Sequence, residues 1–339
     1  MLITTPSGLY CPAADVFIDP HKPVHKALIT HAHADHARNN HQHYLAAQGN
    51  EHILKLRLSP NINLQTLPYG QTIKINGVKI SFHPAGHIPG SAQIRLEHKG
   101  EIWVVSGDYK LNNDGISTPF EPVKCHHFIT ESTFGLPVFN WKPQDIVFQE
   151  IRNYFHEIQQ DLIITAYSLG KAQRLLTNLA DLPLYVHKTI LDTTHALAID
   201  HHGPFPTNLQ PLTPNSQRPK TNNQGPKTKV QRPCIYIIPP AALNSKLSTL
   251  NSPLSTLNSK LATCSGWMSL RGARRWGNYD RGFVLSDHAD FHELETACLA
   301  TGAHTISVTH GYSAAFARYL SEKHGLQTQT LKSAWEREE

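Results

Sequence analysis

The chain has 339 residues, 40% of them hydrophobic, and 31 basic against 26 acidic side chains give a formal charge of +5. That apolar content supports a substantial core and excludes wholesale disorder, and the length suits one large domain or two ordinary ones. The small basic excess is compatible with a polyanionic partner without requiring one, and no apolar run approaches the ~20 residues that a membrane span needs.

In chain order, the start MLITTPSGLYCP has neither a basic n-region nor a long apolar h-region, which predicts no signal peptide. Strands are predicted at Val16–Ile18, Ala27–Thr30, Thr72–Ile75, Val78–Phe82, Ala92–Glu97 and Ile102–Ser106, with Asn76-Gly77 and Lys99-Gly100 as two-residue hairpin turns. Asp145–Gln160 reads as a helix with Ile146, Ile151, Tyr154, Phe155 and Ile158 on one side. A buried strand at Asp161–Ala166 and a helix at Gly170–Leu179 follow. The tail holds a helix at His292–Thr301, a strand at Thr305–Thr309 and a helix at Ser313–His324. Antiparallel strands first, then strands alternating with helices, indicate a layered α/β protein.

Between His202 and Leu261 the character changes. Residues 203–233 are rich in Pro, Asn, Thr, Gln and Lys, as in a linker or loop. A seven-residue unit then repeats as LNSKLST (243–249), LNSPLST (250–256) and LNSKLAT (257–263). Its leucine spacing mimics a heptad seam, but Ser, Thr and Asn are poor helix formers and Pro253 breaks the middle copy. The expectation is a tandem insertion in a surface loop. Cys11, Cys125, Cys234, Cys264 and Cys298 form no CxxC pair and read as reduced thiols in a cytoplasmic protein.

Histidine is the anomaly, at 23 residues. His21, His41, His43, His52 and His98 are expected at the surface. His31-Ala-His33-Ala-Asp35-His36 is different, because it follows the apolar strand Ala27–Thr30. At a strand end His31 and His33 point to one side, and a turn into a helix at Asp35-His36 aims two more donors at a neighbouring point. One nitrogen-rich and one mixed pocket result, suited to two zinc ions. At this composition a chance HxHxDH is expected on the order of 0.004 times. His87, in a glycine-flanked loop after a strand, and Asp108, in Ser-Gly-Asp just beyond another, supply further donors, and a carboxylate there can bridge two cations. Asp19 is a candidate hydrogen-bond acceptor for a ligating histidine. His83 either orients a ligand or closes a turn.

The order Asp19, HAHADH, PAGH, SGDY resembles the metallo-β-lactamase superfamily. Glu131 in TESTFG, His288 in SDHAD, His310 in VTHG and Ser168-Leu-Gly-Lys171-Ala-Gln resemble the motifs of its β-CASP nucleic-acid branch. GLYCPAADVFIDP, VVSGDYK, TESTFGLP, SGWM and SDHAD are similar to the bacterial ligase-associated DNA exonucleases. The resemblance covers nearly all of the chain outside roughly 203–262, and the triple LNSxLST run is not expected of the family.

The resemblance implies a four-layer αββα core over residues 1–135 and 281–339. An inserted β-CASP α/β domain occupies 136–280 and includes a low-complexity loop at about 203–262. It implies two Zn2+, with Mn2+ as the alternative: His31, His33 and His87 at one, Asp35, His36 and His310 at the other, Asp108 between them. Asp35, His288 and Glu131 are the implied catalytic residues, with His288, oriented by Glu131, giving a proton to the leaving oxygen. Lys171, Ser168 and Arg274 are candidate substrate contacts, through a helix N-terminus and through the basic and aromatic run LRGARRWGNYDRG.

The implied function is a phosphodiester-cleaving DNA exonuclease in repair, partnered with an ATP-dependent ligase and a helicase. The alternatives are an RNA-processing nuclease, a small-molecule metallohydrolase, against which Glu131, His288 and His310 argue, and a catalytically dead nucleic-acid-binding scaffold.

Overall fold

The computed structural model describes residues 1–212, 233–244 and 259–331, apart from the side chains of Arg274 and Trp276. It is a mixed α/β protein of two compact units. The first comprises Met1–Asn140, Ala196–Gly203 and Asp287–Glu339, and the second Trp141–His195 and Pro204–Ser286.

The first unit contains two sheets. One is built from β1 (Ile3–Thr5), β2 (Gly8–Cys11), β3 (Val16–Ile18), β4 (Lys26–Ile29), β5 (His43–Ala47) and β6 (Leu64–Leu67), in that spatial order. Its first three strands are antiparallel and β3 to β6 run parallel. The other contains β7 (Thr72–Ile75), β8 (Val78–Pro84), β9 (Ala92–His98), β10 (Glu101–Val105), β11 (His127–Glu131), β18 (Thr305–Thr309) and β19 (Gln327–Thr330), with β7 to β10 antiparallel and β10, β11, β18 and β19 parallel. The alternation in β8 and β9 that predicts half-buried strands is the pattern by which Ile80, Phe82, Ile94 and Leu96 enter a buried cluster. They share it with Val16, Ile18, Leu28 and Leu45 of the other sheet. Each such side chain contributes about 1.5–3 kcal/mol by leaving water.

A second cluster joins Val104, Phe128, Ile306 and Val308 to Leu294 of α6 (Phe291–Ala300) and to Phe316 and Leu320 of α7 (Ser313–His324). An Asp290–Glu293 capping box starts α6 and Gly325, left-handed at φ 66, ends α7. Asn76-Gly77 and Lys99-Gly100 both have two positive φ values, as a two-residue hairpin turn requires.

The second unit holds an all-parallel sheet in the order β14 (Gln210–Pro211), β13 (Leu184–Val186), β15 (Ile235–Ile238), β12 (Asp161–Thr165), β16 (Ser259–Cys264), β17 (Arg281–Phe283). Its core packs Val147, Phe148, Ile151 and Phe155 of α2 (Gln144–Ile158) and Leu175 and Leu176 of α3 (Lys171–Asn178) against Leu162, Ile164, Ile235 and Ile237. Ile146, expected on the same side of α2 as Ile151 and Phe155, is exposed. Continuous apolar runs such as IYII suit strands covered on both faces.

Two expectations need correction here. The stretch read as a loop at about 203–262 carries β14, β15, α5 (Pro240–Asn244) and most of β16 in its described parts. Ile235–Ile238 is four residues long, too short an apolar run to stand out from the polar and proline-rich sequence before it. The third repeat copy is not surface insertion, since Ser259–Thr263 of LNSKLAT pairs in register with Asp161–Thr165. Residues 245–258 of the repeat lie outside the described residues. Among the described residues no helix is long and apolar enough to cross a membrane, and all five cysteines are buried free thiols.

Candidate metal centre

The strand β4 ends at Ile29, and the chain then turns rather than entering the helix expected at Asp35-His36: His36 and Ala37 N–H both return to the His33 carbonyl. The turn still converges the donors, because the two histidines present different nitrogens. His31 Nε2 and His33 Nδ1 lie 3.2 Å apart, and His87 Nε2, from the loop after β8, lies 3.1 Å from His33 Nδ1. Asp108 Oδ2 stands 3.6 Å from His31 Nε2 and 3.7 Å from His87 Nε2. Its other oxygen, Oδ1, is 3.4 Å from His36 Nε2, which is 3.8 Å from Asp35 Oδ2. Donors of two sets, His31–His33–His87–Asp108 and Asp35–His36–Asp108, each fall within 4.8 Å of one another.

These separations test whether a cation fits. Zinc at 2.0–2.1 Å from tetrahedral nitrogen or oxygen donors places them about 3.3–3.4 Å from one another. Four of the six donor separations in the first set, 3.1–3.7 Å, match such a tetrahedron's edges to within a few tenths of an ångström. The second set offers three donors, and Asp108 turns one oxygen to each set. His310 does not join the second set; its ring stacks on His36 with centroids 5.7 Å apart.

The hydrogen-bond pattern agrees, and so does the protonation of His31 and His87. Thr30 Oγ1 donates to Asp19 Oδ2 at 2.5 Å and therefore accepts from His31 Nδ1 at 3.1 Å, leaving the His31 Nε2 lone pair free. His87 Nδ1 donates to the Asp287 carbonyl at 2.8 Å, and His36 Nδ1 to Asp19 Oδ2 at 2.8 Å, freeing both Nε2 atoms in the same way. Burial and the neighbouring His36 hold His31 well below the usual imidazole range, and burial and His288 push His87 down to about 3. Neutral imidazoles are the ligating form. Burial also opposes a charge on His36, but Asp108 and Asp19 outweigh it and raise that imidazole. Burial would raise the Asp108 carboxyl, yet His36, His288 and His31 hold it well below the ordinary carboxylate range.

Two glycines bring the loops together. A Cβ on Gly107, at φ 57, would lie 2.7 Å from Thr30 Cβ, so the loop carrying Asp108 lies against the end of β4 only because residue 107 has no side chain. Gly311, at φ 68, follows His310 at φ 57, and a Cβ there would meet the Ser132 carbonyl oxygen at 2.5 Å.

Beside the metal-type donors stands a histidine–carboxylate pair. His288 Nδ1 is 3.0 Å from both oxygens of Glu131 and 3.9 Å from Asp108 Oδ2. Burial opposes its charge, but Glu131 and Asp108 win and raise it to about 9. Glu131, 2% exposed at the end of β11, also accepts Tyr109 N–H at 2.9 Å and the Thr133 hydroxyl at 2.5 Å, so its orientation is fixed. Asp108, Glu131 and His288 also fall within metal-binding distance of one another, while the hydrogen bonds from Tyr109, Thr133 and His288 occupy the Glu131 carboxylate.

The expected substrate contacts lie in the second unit. Lys171 opens α3 and is buried, its ammonium 5.1 Å from the Tyr167 ring, and half-buried Ser168 turns its carbonyl to Gln173. The Arg274 and Trp276 side chains are outside the described residues. Arg281 is engaged over Tyr154 at 5.8 Å. Among the other expectations, His41 is buried and takes Val24 N–H rather than facing solvent, because the turn after β3 folds over it. His83 bonds Ser81 within its own strand, at 3.0 Å.

Sequence reading missed Thr30, the Asp287 carbonyl and Arg174, whose buried guanidinium donates to Ser286 O at 2.6 Å. Only Thr30 carries a sequence signal, as the hydroxyl between an apolar strand and the first ligand-type histidine.

No family model matches the chain. A "Probable DNA ligase" of Opitutus terrae is 30% identical over 324 residues, which is 93% of this chain and 30% of that protein. "RNase aCSPSF2" of Saccharolobus solfataricus is 27% identical over 125 residues, 35% of this chain and 25% of that one. The chain therefore spans under a third of the length of these two relatives. A crystal structure of a protein of unknown function from Enterococcus faecalis V583 aligns with 93% of this chain and 80% of that chain, at a TM-score of 0.59 and 11% identity, a likeness of fold alone. Relatives named as nucleases match about a third of this chain, and the chain is similar to the β-CASP nucleases of the metallo-β-lactamase superfamily.

Proposed function

We propose that the protein is a two-metal phosphodiesterase that shortens DNA strands from an end, in a cytoplasmic repair setting with a ligase and a helicase. The observation that carries this reading is the Asp108 carboxylate, one oxygen turned to His31 and His87 and the other to His36. A shared carboxylate between two donor sets is the arrangement a pair of divalent cations requires. In this reading His31, His33 and His87 would hold one zinc and Asp35 and His36 the other, with Asp108 shared; His310, stacked on the His36 ring, would complete the second only by turning its imidazole, and Mn2+ can replace either. The two sheets of the first unit and the helices beside them would form the four-layer αββα core, with the second unit as the β-CASP insertion.

Bound cations would supply a nucleophile from water at neutral pH and neutralise charge on the phosphoryl oxygens. The chain's own residues do the rest. Asp19 fixes the His36 tautomer directly and the His31 tautomer through Thr30. Glu131 holds His288 by Nδ1, so Nε2 faces away with a proton for the leaving oxygen. Lys171, Ser168 and Arg274 receive the strand's backbone and bases. DNA is favoured because a relative named as a probable DNA ligase carries a segment similar to 93% of this chain within a longer protein.

The test is a time course on matched, end-labelled single- and double-stranded DNA and RNA with zinc- or manganese-loaded protein. A mononucleotide ladder from DNA is expected. Faster cutting of RNA, as the relative named RNase aCSPSF2 would suggest, overturns the DNA assignment. Internal fragments overturn the exonucleolytic one.

A further inference from the structure

The first unit contains a cavity of about 330 Å³ that none of the roles above uses. Its interior is apolar, lined by Leu9, Ile18, Val105, Ile129 and Leu331 at one end of the two sheets. Asp35, His36 and His310 also lie on its wall. A ligand inside is therefore contiguous with whatever binds the Asp35–His36–Asp108 donors.

From that continuity we propose that the cavity receives the base of a nucleotide flanking the scissile phosphate, a deepening that rests on the phosphodiesterase reading above. Three features select this occupant. The volume lies at the low end of small-molecule sites, which run roughly 300–1,000 Å³, and suits one nucleoside rather than a length of strand. The carboxylates on the wall, Asp19, Asp35 and Glu131, disfavour a second phosphate, so the neutral part of the nucleotide enters. A nucleobase has apolar faces for branched aliphatic side chains and polar edges for a few donors and acceptors. His21 stands in the wall, and its ring makes no hydrogen bond within the described residues. It is the edge-reading group of the pocket, and its action on the base makes it a specificity-determining residue rather than a catalytic one.

The test uses the zinc-loaded full chain on oligonucleotides with an abasic site on the 5′ or the 3′ side of the scissile bond. One of the two should be cut roughly tenfold less efficiently than the intact strand, the order expected for one base contact. A Leu9→Trp variant, which fills the cavity, should lower cleavage of the intact strand to the abasic level while bis(p-nitrophenyl) phosphate hydrolysis stays unchanged. Thr4→Trp, placed from the exposed rim, is the second variant should the first fail to fold. Calorimetry should show a deoxynucleoside monophosphate binding roughly tenfold more tightly than deoxyribose 5-phosphate to wild type, and equally to the filled variant. If both abasic substrates are cut like the intact strand, the cavity proposal is wrong and the phosphodiesterase reading stands. If neither an oligonucleotide nor bis(p-nitrophenyl) phosphate is hydrolysed, the reading beneath it falls as well.

Discussion

Substituting Gly107 by alanine tests whether the donor sets depend on the close approach of two loops. The added Cβ would sit 2.7 Å from Thr30 Cβ, 2.9 Å from its Oγ1 and 3.0 Å from its Cγ2, where carbon atoms prefer about 3.5–4.0 Å. The left-handed backbone at φ 57 costs an L side chain roughly 1–2 kcal/mol, and relief of the contact costs about 1–3 kcal/mol more. The expected loss of about 2–5 kcal/mol is a large part of an ordinary domain's 5–15 kcal/mol.

Gly100→Ala is the control. It has φ 83 but nothing within 4 Å, so it carries the backbone cost without the clash. Thr30 adjoins His31 and bonds Asp19, and Gly107 adjoins Asp108. Gly107→Ala should therefore also weaken zinc affinity about 10–100-fold, the range for disturbing groups that orient ligands, and Gly100→Ala should not. Urea denaturation and competitive zinc titration on both variants give the two numbers. Equal destabilisation of the two variants, or an unchanged zinc affinity in Gly107→Ala, would refute the reasoning.

Four further outcomes are expected. Asp108→Ala should abolish phosphodiester hydrolysis and reduce bound zinc by elemental analysis; full activity would remove its bridging role. His288→Ala should slow turnover and leave metal content intact, and loss of zinc would mean that it ligates. The His288 imidazole, raised to about 9, stabilises the metal-free fold by about 3 kcal/mol. The folded value lies above the unfolded 6.5, so this is fully present below pH 6.5 and lost as pH rises through 9. Glu131→Gln should flatten that part of the stability–pH curve and move the imidazole's NMR titration towards 6.5. Deleting 243–256 leaves six residues between β15 and β16, which both run parallel to β12, fewer than the dozen or so that a crossover needs, so the melting temperature should fall; an unchanged melting temperature would contradict this placement of β16.

Much of the first unit is legible because its strands obey period two and its turns carry Asn-Gly or Lys-Gly. Val16–Ile18, Thr72–Ile75, Thr305–Thr309 and Ser313–His324 coincide with observed elements. The ligand-type histidines were legible from one local motif of low chance frequency. What escaped was set by contacts distant in sequence. The His87 tautomer depends on a carbonyl 200 residues away, and nothing near His87 encodes it. The helix expected after Asp35 is absent because His33 O closes a turn instead. β15 and β16 were hidden because short buried strands in a parallel sheet need no alternation, and their neighbours in sequence are polar.

The most direct test is anomalous scattering at the zinc edge from crystals of the zinc-loaded protein. Two peaks are expected, one among His31, His33, His87 and Asp108 and the other beside Asp35, His36 and Asp108. A single peak, or peaks away from Asp108, would contradict the two-metal account.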